Sequence, residues 1–320
     1  MMRLQIKQKL DWLQTENYKP FYLAFLRVAI SGWLLKELYI NWSSMDLLYG
    51  QTIFIESEKR IIKLLSFGNS FDFRAHYRWF IFFYIGVIVL NILGIGRTFT
   101  AILLFLSVYI VQKLNKTVLN GGDIFAGFIL FYLILSDSYR YFTLFKPAAP
   151  PKEKTKFLNL LSNLAAFSIM LQLCMGYFAL GVTKLIDPVW QSGEATYYAL
   201  MNEGYKGTPY NQWIVQHKWI DYCTNYGVMA FELLFPLLVW FKKLRKPFLI
   251  AGILFHLSIY IFMMIYGFEV VFMLIYGLFL PNDQLIKFAH KINRFFSSGH
   301  GAINRYIGLA NNPKTVQEQK

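Results

Sequence analysis

Eight apolar stretches follow one another along this chain, near residues 20–41, 79–96, 98–111, 123–139, 161–186, 225–241, 247–266 and 268–281. Crossing a bilayer as a helix takes about 20 predominantly apolar residues. Most of the stretches approach that length; the third and eighth are the shortest. The expected fold is therefore all-α: a polytopic membrane bundle of about eight transmembrane helices. Hydrophobic residues at 56% and charged residues at only 16% point the same way, because a soluble domain of this size needs a more polar surface.

The net charge of +14 invites a nucleic-acid reading, but its placement argues against one. With the N-terminus inside, the segments on the cytoplasmic side carry 20 of the 32 Lys and Arg. The outer segments carry nine, and Arg27, Lys36 and Lys184 lie within spans. That is the positive-inside bias, and it places both termini in the cytoplasm. The expected partners are membrane lipids and a peptide or small-molecule substrate, with no nucleic acid. The expected location is the bacterial cytoplasmic membrane. Arg27 within the first stretch, and the spans that follow it, read as a retained anchor rather than a cleaved leader.

The chain divides into an interfacial helix over 1–19, a transmembrane domain over 20–281 and a basic cytoplasmic tail over 282–320. Residues 52–65 form a second amphipathic segment on the outer side. The run KPAAPPKEKTK, 146–156, breaks the chain into two halves of four spans. The longest outer loop, 187–224, is aromatic enough to lie on or dip into the outer face. Cys174 and Cys223 form no metal-type spacing and read as small apolar fillers, so no metal is expected.

Ionisable groups in apolar spans are costly and mark candidate sites. Lys184 closes the fifth span with Trp190 just beyond it, and the outer loop adds His217. Counting ~1.5 Å per residue puts Asp123 and Lys184 at one outer level, with Glu232 about 10 Å and His256 about 15 Å below. These groups are expected to converge on one pocket open to the outside. A lysine in such a pocket has its charged form disfavoured and can act as a base towards a phenol- or hydroquinone-type hydroxyl. Plainer roles stay open: a helix cap for Asp123 with Asn120, snorkelling for Lys184, an interhelical hydrogen bond for His256 and solvent exposure for Glu269. Gly176 and Gly181 beside Lys184 suit close helix packing. Arg27 and Asp137, deeper and at similar depth, are expected to form a structural ion pair.

Three segments carry a family likeness: NGGDIFAGFILFYLILSDSYRY, YFALGVTKLIDPVWQSGEATYY and GILFHLSIYIFMM. Over residues 18–285 the chain resembles the membrane domain of vitamin K-dependent gamma-glutamyl carboxylases, the HTTM group. The run YF-x-x-GV-x-KL followed by Trp and Gly is its most specific part. The resemblance implies that Lys184 is the catalytic base and that His256 and Asp137 match family positions. It implies a vitamin K-type quinol cofactor (menaquinol or phylloquinol), with O2 and CO2 as co-substrates. Gly122 stands where the family has a histidine, and no lumenal propeptide-binding domain follows residue 281. Propeptide-guided carboxylation is therefore not expected. Small bacterial SdpB-like relatives, which act in toxin-peptide maturation, suggest an alternative: a non-catalytic module assisting maturation or export of a partner peptide. A transporter ranks third, because it needs broken helices and a continuous polar path.

Overall fold

The computed structural model describes residues 11–50, 59–66, 72–114, 116, 118–145 and 151–296. Every regular element among them is helical, and no strand occurs among the described residues. The helices are α1 (Pro20–Ile40), α2 (Met45–Tyr49), α3 (Lys59–Leu65), α4 (Tyr77–Leu93), α5 (Arg97–Leu114), α6 (Gly121–Ile134) and α7 (Lys152–Ile186). They continue with α8 (Pro188–Gln191), α9 (Ala195–Met201), α10 (Tyr210–Gln216), α11 (Lys218–Leu238), α12 (Lys242–Met263), α13 (Phe268–Tyr276) and α14 (Asn282–Phe296). A 3-10 turn, Gly277–Phe279, extends α13.

By length and composition, α5, the Glu153–Ile186 part of α7 and α12 can each cross a membrane. The bent pair Phe268–Phe279 and Asn282–Lys291 makes a fourth if counted as one span. At ~1.5 Å rise per residue, the apolar helices α4 and α6 reach about 25 and 21 Å, short of a ~30 Å hydrocarbon core.

The chain forms two compact units: Met1–Phe167 with Leu280–Lys320, and Ser168–Phe279. The boundary differs from the one expected at the Pro- and Lys-rich run. Residues 146–150 of that run lie outside the described residues, and the rest enters α7, whose 35 residues pass from one unit to the next. Lys and Glu are good helix formers, so once the prolines end nothing in EKTK stops the helix.

In the first unit α1 packs on α4, α6 and α14, and α5 lies between α4 and α6. Leu23, Leu26, Ile30, Ile88, Leu104 and Ile129 are almost wholly buried. Asn163 on α7 donates to the Leu13 and Glu16 carbonyls at 2.8 Å and accepts from the Tyr18 amide at 2.9 Å. That pins the end of the segment expected to be an interfacial helix. Residues 11–15 are helical, and residues 1–10 lie outside the described residues, as do 52–58 of the second amphipathic segment and 297–320 of the tail.

Arg27 corrects the expected pairing with Asp137. Its guanidinium, 1% exposed as a residue, donates into a cage of main-chain carbonyls. Nε reaches Ser138 at 3.1 Å, one terminal nitrogen meets Asn91 and Ile92, and the other meets Tyr141 and Phe142. The Tyr139 ring lies 4.7 Å away. Asn91 and Ile92 belong to the last turn of α4, whose carbonyls lack intrahelical donors. The irregular run after α6 likewise has carbonyls to satisfy. Asp137 pairs instead with Arg140 at 2.6 Å. Five fixed N–H groups suit such a cage better than they suit one carboxylate.

Candidate functional site

The second unit builds its site from periodicity. Tyr177 and Lys184 lie seven residues apart on α7, two turns along one helix face. Thr224, Val228 and Glu232 recur every four residues on α11, and His256, Ile259 and Met263 recur at three and four on α12. Phe268 and Phe272 do the same on α13. All of these side chains line one cavity of about 380 Å³ whose walls are mainly apolar.

Gly181 sets the spacing. A Cβ there would meet the Leu233 side chain at 2.9 Å and its backbone nitrogen at 3.2 Å, so α7 and α11 approach closely at this point. One turn on, Lys184 Nζ donates to both oxygens of Glu232, at 2.9 and 2.7 Å. The side chains are 15% and 3% exposed. A carboxylate therefore sits against the amine and offsets the cost of burying its charge. Lys184 Nζ also lies 4.9 Å from the centre of the Trp190 ring.

The loop after α7 is folded against this cavity as three short helices. Asp187 caps α8, accepting from the Val189 amide at 2.8 Å. Asn225 donates to the Trp190 carbonyl at 2.9 Å and so fixes the turn that carries the indole. Farther on, Asn211 donates to the Leu200 and Phe262 carbonyls at 2.8 and 2.7 Å. These bonds tie α9 and α10 to the end of α12, and Thr196, Leu200 and Ile214 become cavity wall.

The same unit holds a second buried polar chain, of two phenols and an imidazole. The Tyr177 hydroxyl meets His256 Nε2 at 2.6 Å and the Tyr276 hydroxyl at 2.5 Å. His256 is fully buried, and its Nδ1 has no hydrogen-bond partner among the described residues. Tyr177 and Tyr276 were not expected as site residues. The available signal was the seven-residue spacing of Tyr177 from Lys184, together with the rule that a buried phenol finds a partner.

The chain is held by Gly252, where a Cβ would collide with the Tyr276 hydroxyl and approach its Cζ to 2.7 Å. Gly252→Ala is expected to push Tyr276 off Tyr177 and cost about 1–3 kcal/mol, as overpacking does. Tyr276→Phe removes only the hydroxyl and costs about 1 kcal/mol. Thermal midpoints of the two variants in detergent check this; an Ala variant as stable as wild type means that the contact is not tight.

The expected site thus assembles in part. Lys184, Glu232, His256 and Trp190 meet in the second unit. Asp123 and Asn120 do not join them; they line a cavity of the first unit. They also form a capping box on α6, with Asn120 Oδ1 accepting from the Gly122 and Asp123 amides and Asp123 Oδ2 from the Asn120 amide. His217 is also set apart: its Nδ1 meets the Trp213 carbonyl at 2.7 Å, and it does not line the cavity. Glu269, for which solvent exposure was one open role, is fully buried in the first turn of α13. Among the described residues no three metal-ligating side chains converge, and both cysteines are free.

Comparison with known proteins finds no matching family model, no matching curated protein and no matching solved structure.

Proposed function

We propose that the second unit is the site of a membrane enzyme of the carboxylase-like HTTM type, which binds a vitamin K-type quinol and takes a proton from its hydroxyl. The observation that carries this reading is the cavity itself: mainly apolar walls, with one ion pair and one buried imidazole–phenol chain as its ionisable groups. Its volume falls in the usual range for small-molecule sites, ~300–1,000 Å³. The residues fit a flat, lipophilic head with polar groups at its edge. Lys184 and Glu232 would hold one such group, and Tyr177 and His256 would hold another. When bound, a quinol supplies reducing electrons and an acidic hydroxyl.

Lys184 works with Glu232 rather than alone. The carboxylate, 2.7 Å away, takes the ammonium proton, and the neutral amine is then free to accept one from the ligand. The pair is net neutral before and after this exchange, so burial penalises neither form strongly. The Trp190 face stabilises the ammonium that re-forms. O2 and CO2 would be co-substrates of the carboxylase-like reaction, on a peptide or small molecule reached from the outer face.

Support for the membrane comes from the surface. Trp79, Phe82, Phe83, Phe99, Phe131 and Leu254 are exposed on α4, α5, α6 and α12, as lipid-facing side chains are. We place eight crossings in the bacterial cytoplasmic membrane, with both termini in the cytoplasm and α13 with its 3-10 turn as the shortest crossing. Anionic lipids would meet the basic inner segments.

The test is oxygen consumption with a short-chain menaquinol, using protein in lipid nanodiscs. Lys184→Ala is expected to lower the quinol-dependent rate by at least about 100-fold. Equal rates in both proteins would sink the reading. Quinol binding without turnover, with Lys184→Ala fully functional in cells, would favour the non-catalytic maturation module.

A further inference from the structure

Glu37 and Asp123 line a second cavity, of about 280 Å³, within the first unit. It shares no residue with the cavity of Lys184. Two of its amide side chains each give one N–H to a main-chain carbonyl. Asn41 gives its amide to the Glu37 carbonyl at 2.9 Å, and Gln112 gives its amide to the Asp123 carbonyl at 2.7 Å. A carbonyl only accepts, so those bonds orient both amides and leave Asn41 Oδ1 and Gln112 Oε1, with one further N–H each, for the cavity. Lys36 takes Glu37 Oε1 at 2.8 Å, and the Asn120 amide takes Asp123 Oδ2 at 2.9 Å. The second oxygen of each carboxylate is left without a hydrogen bond among the described residues.

Tyr84 supplies an independent observation. It is only 2% exposed, and its hydroxyl makes no hydrogen bond among the described residues. That hydroxyl lies within electrostatic reach of Tyr49 and Asp123, which line the same space. A phenol this deeply buried ordinarily has a partner, so an idle one facing a polar cavity points to an occupant. Burial, and then the charge of Asp123, push the Tyr49 phenol up to about 12, so it too is present as a neutral hydroxyl.

What faces the cavity is rich in acceptors, carries two carboxylates within each other's field and includes two aromatic rings. Such a lining complements a donor-rich cation with an apolar part. One water occupies ~30 Å³, so a bare ion would leave most of the space unfilled. We propose that this cavity binds a small organic ammonium ion. Glu37 and Asp123 hold the charged nitrogen, and Tyr49 and Tyr84 contact the rest.

The experiment uses the full-length protein in detergent, with phenethylammonium chloride as probe and 2-phenylethanol as its uncharged counterpart. The ammonium is expected to raise the thermal midpoint saturably, and the alcohol is not. Glu37→Gln and Asp123→Asn keep the side-chain shape and are each expected to weaken the apparent affinity about tenfold. Tyr84→Phe is expected to weaken it less. Equal responses to the two probes, or a response reproduced by potassium chloride at equal ionic strength, would overturn the proposal. Should the variants fold poorly, the charged-against-uncharged comparison on the wild-type protein decides alone.

Discussion

Arg27→Met is expected to leave little folded protein. The guanidinium satisfies carbonyls at the end of α4 and in the run after α6, and methionine satisfies none. Each buried acceptor left without a partner costs about 1–3 kcal/mol. Losing even half of the cage would cost about 5 kcal/mol, comparable to the whole stability of an ordinary domain. Arg27→Lys is expected to fall between, because an ammonium has three N–H groups and no planar fork. Asp137→Asn should cost no more than about 1 kcal/mol, since the aspartate's partner is a partly exposed Arg140. The monodisperse fraction after solubilisation and the thermal midpoint measure all three. An Asp137 variant as damaged as Arg27→Met would mean that the two residues do act as a pair.

The Lys184–Glu232 pair should respond unequally to its two single deletions. Lys184→Met strands a carboxylate that is 3% exposed, at a cost of about 3–5 kcal/mol. Glu232→Gln strands an ammonium that is 15% exposed and rests on Trp190, so it is expected to cost less, about 1–3 kcal/mol. Replacing both residues by methionine removes the unpaired charge and should restore stability to near the wild-type level. It should not restore quinol binding or turnover. Thermal midpoints and Trp190 fluorescence on quinol titration separate these outcomes. A double variant that is stable and still turns over would make the pair purely structural.

Helix positions were largely legible. Apolar runs bounded by Lys, Pro, Gly and Asn placed α1, α4, α5 and α12 within a few residues of where they lie. Lys184, Trp190, Glu232 and His256 were also legible as a group, because burying ionisable groups in apolar helices is costly enough to demand common surroundings. Rise per residue, however, gives depth and not direction around the axis. Asp123 lies in the first turn of α6, yet it faces a cavity of the first unit with Glu37. Arg27 and Asp137 matched in depth, but a guanidinium can be satisfied by carbonyls, and backbone carbonyls leave no mark in a sequence. Tyr177 and Tyr276 were hidden for another reason. Among 21 tyrosines, a neutral phenol in a structural chain looks like one facing lipid.

The Tyr276–Tyr177–His256 chain has a consequence for spectroscopy. Tyr177 owns one hydrogen and has two neighbours, so the three groups can order their hydrogens in only two ways. In one, the run points towards the imidazole and the ring proton resides on Nδ1; in the other it points back and the proton resides on Nε2. Passing between them moves no heavy atom and no net charge. Since Nδ1 has no partner among the described residues in either case, whatever fills the neighbouring chamber is left to tip the balance. Nitrogen-15 resonances of this single ring would then report occupancy from inside the helix bundle.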